Sequence, residues 1–419
     1  MLLLSMDLKD RIMRKNTWVL FSPFLLLYVI ISIVFAQNTL VGDEGRYLMF
    51  ANNLLNGFYS PPAPEINLWN GPGYPLLISM FLLLKLPLIA IRLMNAVLLY
   101  FSLIITFKTI NNYSSKKAAL FFTILLGLYF PIFQILPLIL TESLSWFLIS
   151  LVCFTFVKNF KQKSISMKYV LIASVSIAFL AITKAIFGYV ILSMLFVSLF
   201  MCFISKFQLA AKKSSIIFLL SFIFCLPYLI YTFNLTNKFF YWTNSGSMSL
   251  YTMSTPFEKE LGNWDSFSEL LDNPNHTAFI DSIMQLEPLK RDEALKYKAL
   301  ENIKNHPKKY FTNWIANVGR LLFSYPYSNA EQSIKTYFTI IPNMFIIVFI
   351  FFAAAIGTIR YKSFPKEILF LLFFVIIYLF GSSLVSAYRR MFYITMPFWI
   401  LFISYVFTNV INITFKQID

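Results

Sequence analysis

Long apolar stretches recur along almost the whole of this 419-residue chain, and they limit the folds open to it. Hydrophobic residues make up 58% of the sequence and charged residues only 13%. A helix needs about 20 mainly apolar residues to cross the hydrocarbon core of a bilayer, so runs of this length predict transmembrane helices. The sequence therefore predicts an all-α polytopic membrane protein. The first run, Thr17 to Gln37, has no small-residue cleavage site after it and is interpreted as a retained anchor.

The net charge of +16 is concentrated in short basic clusters between the apolar runs. The segment 235–335 contains 11 acidic and 11 basic residues and is neutral. Clusters of Lys and Arg beside membrane spans are typical of cytoplasmic loops, so the charge indicates topology, and no nucleic-acid partner is predicted. The clusters lie at 9–15, at Lys108 with Lys116 and Lys117, at 158–168, at 206–213, at 360–366 and at Lys416.

Placing every basic cluster in the cytoplasm requires an even number of crossings between consecutive clusters. Residues 118–157 and 169–204 then form two hairpins, which turn near Glu142 and near Lys184. The segment 72–90 is short and contains three prolines, so it is interpreted as an interfacial or re-entrant helix. The prediction is about ten transmembrane helices in one integral membrane domain, 1–419. The other spans are 17–37, 92–110, 216–234, 337–359, 368–385 and 391–411.

Two loops are predicted on the outer side of the membrane, at 38–91 and 235–335. The first contains the interfacial helix and other juxtamembrane helical structure. In the second, the spacing of apolar residues predicts helices over 291–305 and 307–324, separated at His306-Pro307. The preceding part of this loop, which is rich in Trp, Ser and Gly, is predicted to be irregular.

Two adjacent carboxylates, Asp43 and Glu44, follow the first predicted span. Outside 235–335 the chain has only eight Asp or Glu residues, so an adjacent pair at a membrane edge is unusual. Such a pair can deprotonate a nucleophile or bind a cation. Alternatively, Asp43 only caps a helix from Glu44 to Asn56 that Gly57 ends. Capping by one carboxylate does not exclude catalysis by the other, so both are candidates.

Few charged residues remain once the cytoplasmic clusters and 235–335 are set aside, and the predicted topology places all of them at the outer membrane face. They are Asp43, Glu44, Arg46, Glu65, Lys85, Arg92, Glu142, Lys184, Arg389 and Arg390. Any one of them could snorkel to the interface or form a structural ion pair. As a set they favour a site in which cations bind a lipid phosphate and Asp43 acts as a general base towards an acceptor hydroxyl.

Several motifs, taken in order, resemble those of the GT-C glycosyltransferases that use polyprenyl-phosphate sugars. The resemblance is to the branch with the protein O-mannosyltransferases and the lipid A aminoarabinose transferase, and it covers most of the chain. The matching pieces are Gly42-Asp43-Glu44 with Arg46-Tyr47 and Ala51, Asn70-Gly71-Pro72-Gly73-Tyr74-Pro75, Ile91-Arg92-Leu93-Met94-Asn95-Ala96, Leu140-Thr141-Glu142-Ser143, Ile182-Thr183-Lys184, Ala299 to Tyr310, and Tyr388-Arg389-Arg390 with Tyr393 and Pro397.

This resemblance implies an inverting transfer on the periplasmic face of a bacterial inner membrane. Asp43 would be the catalytic base, with Glu44 beside it binding the acceptor or an ion. The residues implied to bind the donor phosphate are Arg92, Lys184, Arg389 and Arg390, and other implied site residues are Glu142, Arg46, Tyr74 and Tyr388. Some relatives use a divalent cation, but the sequence has no Asp-x-Asp pair, and metal use stays open.

The sequence leaves the substrates and two other functions open. The implied partners are a polyprenyl-phosphate sugar, membrane lipid and an acceptor that is a lipid, a glycan or a protein. Lys184 stands where Arg is frequent, and Asn70-Gly71-Pro72 replaces a fuller Pro-Pro signature, so neither sugar nor acceptor is transferred from the family. The competing functions are a transporter or flippase of lipid-linked saccharide and an O-antigen ligase or polymerase. Transporters tend to have repeated halves and midplane sites, which this sequence does not show.

Overall fold

The computed structural model describes residues 17–328, 334–359 and 364–411, and helices account for all the regular structure in these ranges. The basic cluster at 9–15, most of the cluster at 360–366 and Lys416 lie outside the described residues. In chain order the helices are α1 (Thr17–Val34), α2 (Glu44–Leu55), α3 (Gly73–Leu83), α4 (Leu88–Ile110), α5 (Lys116–Gly127), α6 (Phe130–Phe133), α7 (Glu142–Phe160), α8 (Met167–Thr183), α9 (Ile186–Met201), α10 (Gln208–Thr236), α11 (Gly246–Met253), α12 (Phe267–Asp272), α13 (Thr277–Met284), α14 (Pro288–Asn305), α15 (Pro307–Phe323), α16 (Ile334–Ile359), α17 (Lys366–Ser383), α18 (Arg389–Tyr393) and α19 (Met396–Tyr405).

Six of the described helices are long and apolar enough to cross a membrane. They are α1, α4, α7, α10, α16 and α17. Shorter apolar helices are α3, α8, α9, and α19 with the π-helical turn that extends it to Val410. The prediction of an all-α polytopic membrane protein is confirmed. The number of crossings stays a prediction.

The predicted hairpin over 118–157 is interrupted in its first half. Helix α5 ends at Gly127, and the segment from there to Thr141 contains only the four-residue α6. Pro131 and Pro137 lie in this segment and lack the backbone N–H that a continuing helix needs. The second hairpin turns where it is predicted, because α8 ends at Thr183 and α9 begins at Ile186.

The apolar helices share one core. Helix α1 packs against α4, α4 against α7, and α7 against α8, while α10 packs against both α8 and α9. Fully buried Trp146 on α7 donates from Nε1 to the carbonyl of Tyr393 at 2.6 Å. This bond fixes α18, near the end of the chain, to the centre of the bundle.

The outer segment between α10 and α16 is more helical than predicted. Helices α14 and α15 confirm the predicted pair, with the break at His306-Pro307. The preceding part was predicted to be irregular, and this is wrong in part, since it contains the short helices α11, α12 and α13. A capping box at Ser266 and Glu269 stabilises the start of α12, a local signal for a helix too short to show clear periodicity.

Two glycines bring the first outer loop into contact with the turn between α8 and α9. A Cβ on Gly71 would lie 2.1 Å from the carbonyl oxygen of Ile182, and a Cβ on Gly73 would lie 2.2 Å from Thr183 Oγ1 and 2.9 Å from its backbone nitrogen. Any side chain there would collide with backbone. Only glycine permits this close approach, which holds the start of α3 against the end of α8.

We expect Gly73→Ala to destabilise the protein by about 1–3 kcal/mol, because the backbone of α3 or of Thr183 has to move. A lower midpoint of thermal unfolding in detergent would show the loss. Gly246→Ala is the matched control, since a Cβ at Gly246 meets nothing within 4 Å. Equal midpoints for the two variants would contradict this account of the loop.

Candidate active site

A cavity of about 1600 Å³ lies where the first outer loop, the α8–α9 turn, the outer segment and the start of α18 meet. Its wall includes carboxylates, cations and aromatic rings. The charged residues that line it and were predicted as site residues are Asp43, Arg46, Glu142, Lys184, Arg389 and Arg390. The structure therefore brings together six charged residues from four separate sequence motifs.

Asp43 lies between two arginines on the cavity wall. Its Oδ1 is paired with the guanidinium of Arg46, three residues along the chain, and its Oδ2 accepts from Arg390 Nη2 at 3.1 Å. Burial alone would raise the pKa of Asp43, but the charges and hydrogen bonds of the two arginines outweigh it and lower the pKa below its ordinary value. Asp43 precedes α2 but makes no side-chain capping bond, so its carboxylate is available to the cavity.

Glu142 joins two of the predicted cations. Its Oε1 is 3.1 Å from Lys184 Nζ and 3.9 Å from Arg390 Nη1. Glu142 is 1% exposed, and its Oε2 has no hydrogen-bond partner. A buried carboxylate oxygen without a donor is energetically unfavourable. This atom can therefore accept a hydrogen bond from a hydroxyl group of a molecule in the cavity. Arg390 thus bridges Asp43 and Glu142.

The other predicted residues on the cavity wall are aromatic or cationic. Arg389 donates to Thr339 Oγ1 at 3.0 Å, which turns it towards α16. The Tyr388 ring packs beside Arg390, 5.5 Å from its guanidinium carbon, and beside Trp264. Arg46 donates from Nε to Asn70 Oδ1 at 3.0 Å and lies over Trp69. These contacts orient the cations without neutralising them.

Three predicted site residues lie behind the cavity wall. Glu44 is fully buried, and its two oxygens accept from the backbone nitrogens of Val41 and Ile139, both at 2.7 Å. Arg92 is also buried, and its Nη2 is 3.8 Å from Glu44 Oε1. Tyr74 contacts Asn95 through its hydroxyl. None of the three lines the cavity. A pattern in sequence marks residues near a site but does not distinguish its wall from its support.

Helix α15 holds the two consecutive arginines in place. Asn317 on α15 is fully buried, donates to the carbonyl of Val385 at 2.6 Å and accepts from the backbone nitrogen of Ala387 at 2.9 Å. These bonds fix the strand-like approach to Arg389 and Arg390. Sequence analysis did not identify Asn317, because one asparagine on an amphipathic helix carries no signal of its partners.

The described residues do not form a ready metal centre. They contain no group of three or more His, Cys, Asp or Glu side chains that could hold an ion. Of the four carboxylates that line the cavity, Asp43, Glu142 and Glu293 are already paired with cations, and Asp292 accepts from the Tyr241 hydroxyl. This donor set does not fit a divalent cation, and no chemical step is assigned to one.

Asp265, at the edge of the cavity region, gives the outer segment a pH-dependent stability. Burial raises the pKa of Asp265 to about 6, and the nearby charges of Glu269 and Glu260 act in the same direction, against the opposing influences of His276 and Asn263. Its pKa is higher in the folded than in the unfolded protein. The folded state is therefore penalised when the carboxyl ionises, and stability falls as the pH rises through about 6.

We accordingly expect Asp265→Asn to raise the midpoint of thermal unfolding above pH 6, and the gain over the unmodified protein to shrink as the pH is lowered. Asp281→Asn, on an exposed position, serves as the control. A gain that is constant across the pH range would show that the effect does not come from ionisation.

No protein-family model and no curated protein sequence matches the chain. Solved structures do match. The Archaeoglobus fulgidus oligosaccharyltransferase, tethered to an acceptor peptide with the NVT sequon, superposes with a TM-score of 0.54 at 14% identity, over 92% of this chain and 49% of that chain. AglB from the same organism, in complex with an inhibitory peptide and a dolichol-phosphate, gives 0.49 at 12% identity, over 92% and 50%. ArnT from Cupriavidus metallidurans, bound to undecaprenyl phosphate, gives 0.44 at 12% identity, over 93% and 77%.

The chain spans about half the length of the oligosaccharyltransferase that it matches. At this level of identity the likeness concerns the fold alone, over 92% of this chain. The helices of the chain and this superposition confirm the all-α fold of GT-C type that the sequence predicts: the chain shares the fold of the Archaeoglobus fulgidus oligosaccharyltransferase.

Proposed function

We propose that this protein is a membrane glycosyltransferase that moves a sugar from a polyprenyl-phosphate donor to an acceptor hydroxyl, with inversion at the anomeric carbon. The observation that carries the proposal is the cavity in which two carboxylates share Arg390 and face further cations. The basic clusters that predict the topology favour a site on the periplasmic face of a bacterial inner membrane. The proteins of the same fold whose structures include dolichol-phosphate or undecaprenyl phosphate are consistent with such a donor.

The charge of the cavity supports a phosphate group. Six cations and four carboxylates line it, which leaves an excess of two positive charges; the cations are Arg46, Lys184, Lys238, Lys296, Arg389 and Arg390, and the carboxylates are Asp43, Glu142, Asp292 and Glu293. An enclosed site with unbalanced cations attracts an anion. Arg390 can bind two oxygens of one phosphate through its fork, while Lys184 supplies a point charge.

Donor binding also prepares Asp43 for its role. A donor phosphate that binds Arg390 draws this cation away from Asp43 Oδ2. In the present structure Arg390 Nη2 contacts that oxygen at 3.1 Å. The pKa of Asp43 then rises towards its ordinary range, since one of the charges that lower it is shared with the donor. Asp43 becomes a better proton acceptor only when the donor is in place.

In the reaction, the acceptor oxygen attacks the anomeric carbon on the face opposite the phosphate. Its proton passes to Asp43 as the new glycosidic bond forms. The bond between the anomeric carbon and the phosphate oxygen breaks, its electron pair stays on the phosphate, and polyprenyl phosphate leaves with its charge held by Lys184 and the two consecutive arginines. The unpartnered Glu142 Oε2 accepts a hydrogen bond from a hydroxyl group of the transferred sugar.

Glu44 and Arg92 support this site from behind. With one oxygen on the backbone of Val41 and the other on that of Ile139, Glu44 ties the loop that carries Asp43 to the segment before α7. It is therefore a positioning residue. Arg92 offsets the buried negative charge of Glu44, since its Nη2 lies 3.8 Å from Glu44 Oε1.

The test is a transfer assay with purified protein in liposomes. Polyprenyl-monophosphate sugars are supplied with cell-envelope lipids, glycans and proteins as acceptors, and mass spectrometry follows the product and the released polyprenyl phosphate. We expect transfer from a monophosphate donor. Transfer only from pyrophosphate-linked saccharides would make the protein a ligase or polymerase, and movement of the donor across the bilayer with no new glycosidic bond would make it a transporter.

A further inference from the structure

A second, smaller cavity of about 380 Å³ adjoins the first. The two share five lining residues, so these side chains form the wall between them: Arg46, Trp69, Trp264, Ser266 and Asp292. The volume is within the range of about 300–1,000 Å³ of pockets that bind small ligands. Asp43, Glu142, Lys184 and the consecutive arginines do not line it, which separates it from the proposed phosphate site.

Aromatic rings and charged groups alternate around this second cavity. Trp69 lies 6.3 Å from Phe267, centroid to centroid, and each ring carries a cation, Arg46 on Trp69 and Arg291 on Phe267, both at 5.5 Å. Such cation–π pairs hold the rings in fixed orientations. An acyl chain would have to desolvate these charged groups, so the lining does not suit lipid.

Two buried oxygens in this cavity have no hydrogen-bond partner. Asn244 and Asp292 are each 7% exposed, and both line the cavity. Asn244 Oδ1 and Asp292 Oδ1 are unpartnered, although the Ser247 hydroxyl lies near the Asp292 carboxylate. Asp292 Oδ2 accepts from the Tyr241 hydroxyl at 2.9 Å.

These two oxygens specify the chemistry of a ligand. A buried acceptor without a donor is energetically unfavourable, so a molecule that donates hydrogen bonds to both oxygens would be stabilised in this cavity. Both groups are acceptors, and the walls are flat aromatic rings. A molecule with several hydroxyl donors around an apolar C–H face meets both demands, and a pyranose ring is of this kind.

The position of the second cavity relative to Asp43 separates donor from acceptor. Asp43 Oδ2 faces Arg390 and the proposed phosphate site, whereas Oδ1 faces Arg46, which borders the second cavity. A general base has to reach the acceptor hydroxyl while the donor lies on its other side. The acceptor therefore approaches from the side of Arg46.

We propose that the second cavity binds one sugar unit of the acceptor, which is thus a glycan. This rests on the proposed transfer reaction. The sugar stacks on Trp69 or Trp264, and its hydroxyl groups donate hydrogen bonds to Asn244 Oδ1 and Asp292 Oδ1. The next sugar unit of the acceptor, which bears the reacting hydroxyl, then lies at Asp43. The new sugar is then added to a hydroxyl group at the end of a saccharide chain.

Binding of simple glycosides tests the proposal without any donor. Methyl glycosides of glucose, galactose, mannose and N-acetylglucosamine are added to the full-length protein in nanodiscs, and binding is followed by ligand-observed saturation-transfer NMR. We expect at least one to bind with a dissociation constant on the order of 1 mM. Asn244→Leu, which removes the acceptor oxygen at similar volume, should weaken binding about tenfold, and Asp292→Asn should weaken it as well.

The matched control is Asn111→Leu, an exposed asparagine at the end of α4 and outside both cavities. It should bind the glycosides as the unmodified protein does, and equal thermal midpoints would show that Asn244→Leu is folded. Absence of glycoside binding, equal binding by Asn244→Leu and the unmodified protein, or binding of a Ser- and Thr-containing peptide in place of glycosides would each overturn the proposal.

The transfer assay distinguishes failure of this proposal from failure of the proposed function. If the subsite is correct, Asn244→Leu raises the KM for a glycan acceptor and leaves the KM for the donor unchanged. Transfer with an acceptor KM that Asn244→Leu does not alter would overturn the subsite alone. Glycoside binding that depends on Asn244, in a protein that transfers no sugar, would support the subsite as a saccharide site and overturn the transfer reaction alone.

Discussion

Asp43→Asn is expected to lower kcat for sugar transfer about 10²–10⁴-fold, the usual contribution of a positioned general base. The amide keeps the size of the carboxylate and can still accept from Arg46 or Arg390, but it cannot take the proton of the acceptor. The KM for the donor should change little or fall, because two cations lose a competing carboxylate. Release of polyprenyl phosphate over time, measured over a range of donor concentrations with saturating acceptor, gives both parameters.

The pH dependence of the transfer activity is a second test of the role of Asp43. The pKa of Asp43 is lowered in the free protein and rises only towards its ordinary value when the donor binds, so its carboxylate is ionised throughout the neutral range in both states. Activity should fall only on the acid side, as Asp43 becomes protonated, and the residual activity of Asp43→Asn should lack this limb. Asp281→Asn, with its exposed side chain, is the control for loss of a carboxylate. Full activity of Asp43→Asn would assign the proton transfer to another group.

Arg390→Gln is expected to have the second largest effect, a fall in kcat/KM for the donor of about 10²-fold or more. Truncating one partner of a buried charge pair costs about 2–5 kcal/mol. Arg390 is partly exposed, so we expect a loss towards the lower end of this range, and Arg390 serves two carboxylates as well as the proposed phosphate. Most of the loss should lie in the KM for the donor. A steady-state series over donor concentration separates the two parameters.

Arg390→Lys distinguishes a forked contact from a simple charge. An ammonium cannot reach Asp43 and Glu142 together as the two guanidinium nitrogens do, at 3.1 and 3.9 Å, so Arg390→Lys should recover only part of the lost activity. Lys298→Gln removes a cation from an exposed ion pair and should leave transfer unchanged. Full recovery by Arg390→Lys would show that charge alone is needed at this position.

Sequence reasoning predicted the fold class and the grouping of charges because both depend on simple physical rules. Lipid excludes unpaired charges, so the few that remain after the cytoplasmic clusters are assigned gather where they are paired. Six of those residues line the cavity, including Asp43 and Lys184, which are far apart in sequence. Lys85 and Glu65 do not line it, since an exposed charge at an interface has its own solvation.

The parts that could not be predicted depend on contacts between distant segments. Glu44 differs from Asp43 by one position, yet helix geometry turns it into the protein, where Ile139 supplies a backbone donor that no local pattern reveals. The break after Gly127 follows the prolines of one segment, but its irregular path to Thr141 is fixed by packing. Asn244 and Asp292 are far apart in the sequence of the outer segment and line one cavity only once that segment has folded.

The glycine contact between the first loop and the α8–α9 turn determines which parts of the enzyme can move. Backbone packed against backbone at Gly71 and Gly73 makes the loop carrying Asp43 and the turn carrying Lys184 one rigid body. We therefore expect the distance between Asp43 and Lys184 to change little during the reaction cycle. Admission of substrates falls to the outer segment, whose displacement would open both cavities together while leaving the reacting groups aligned.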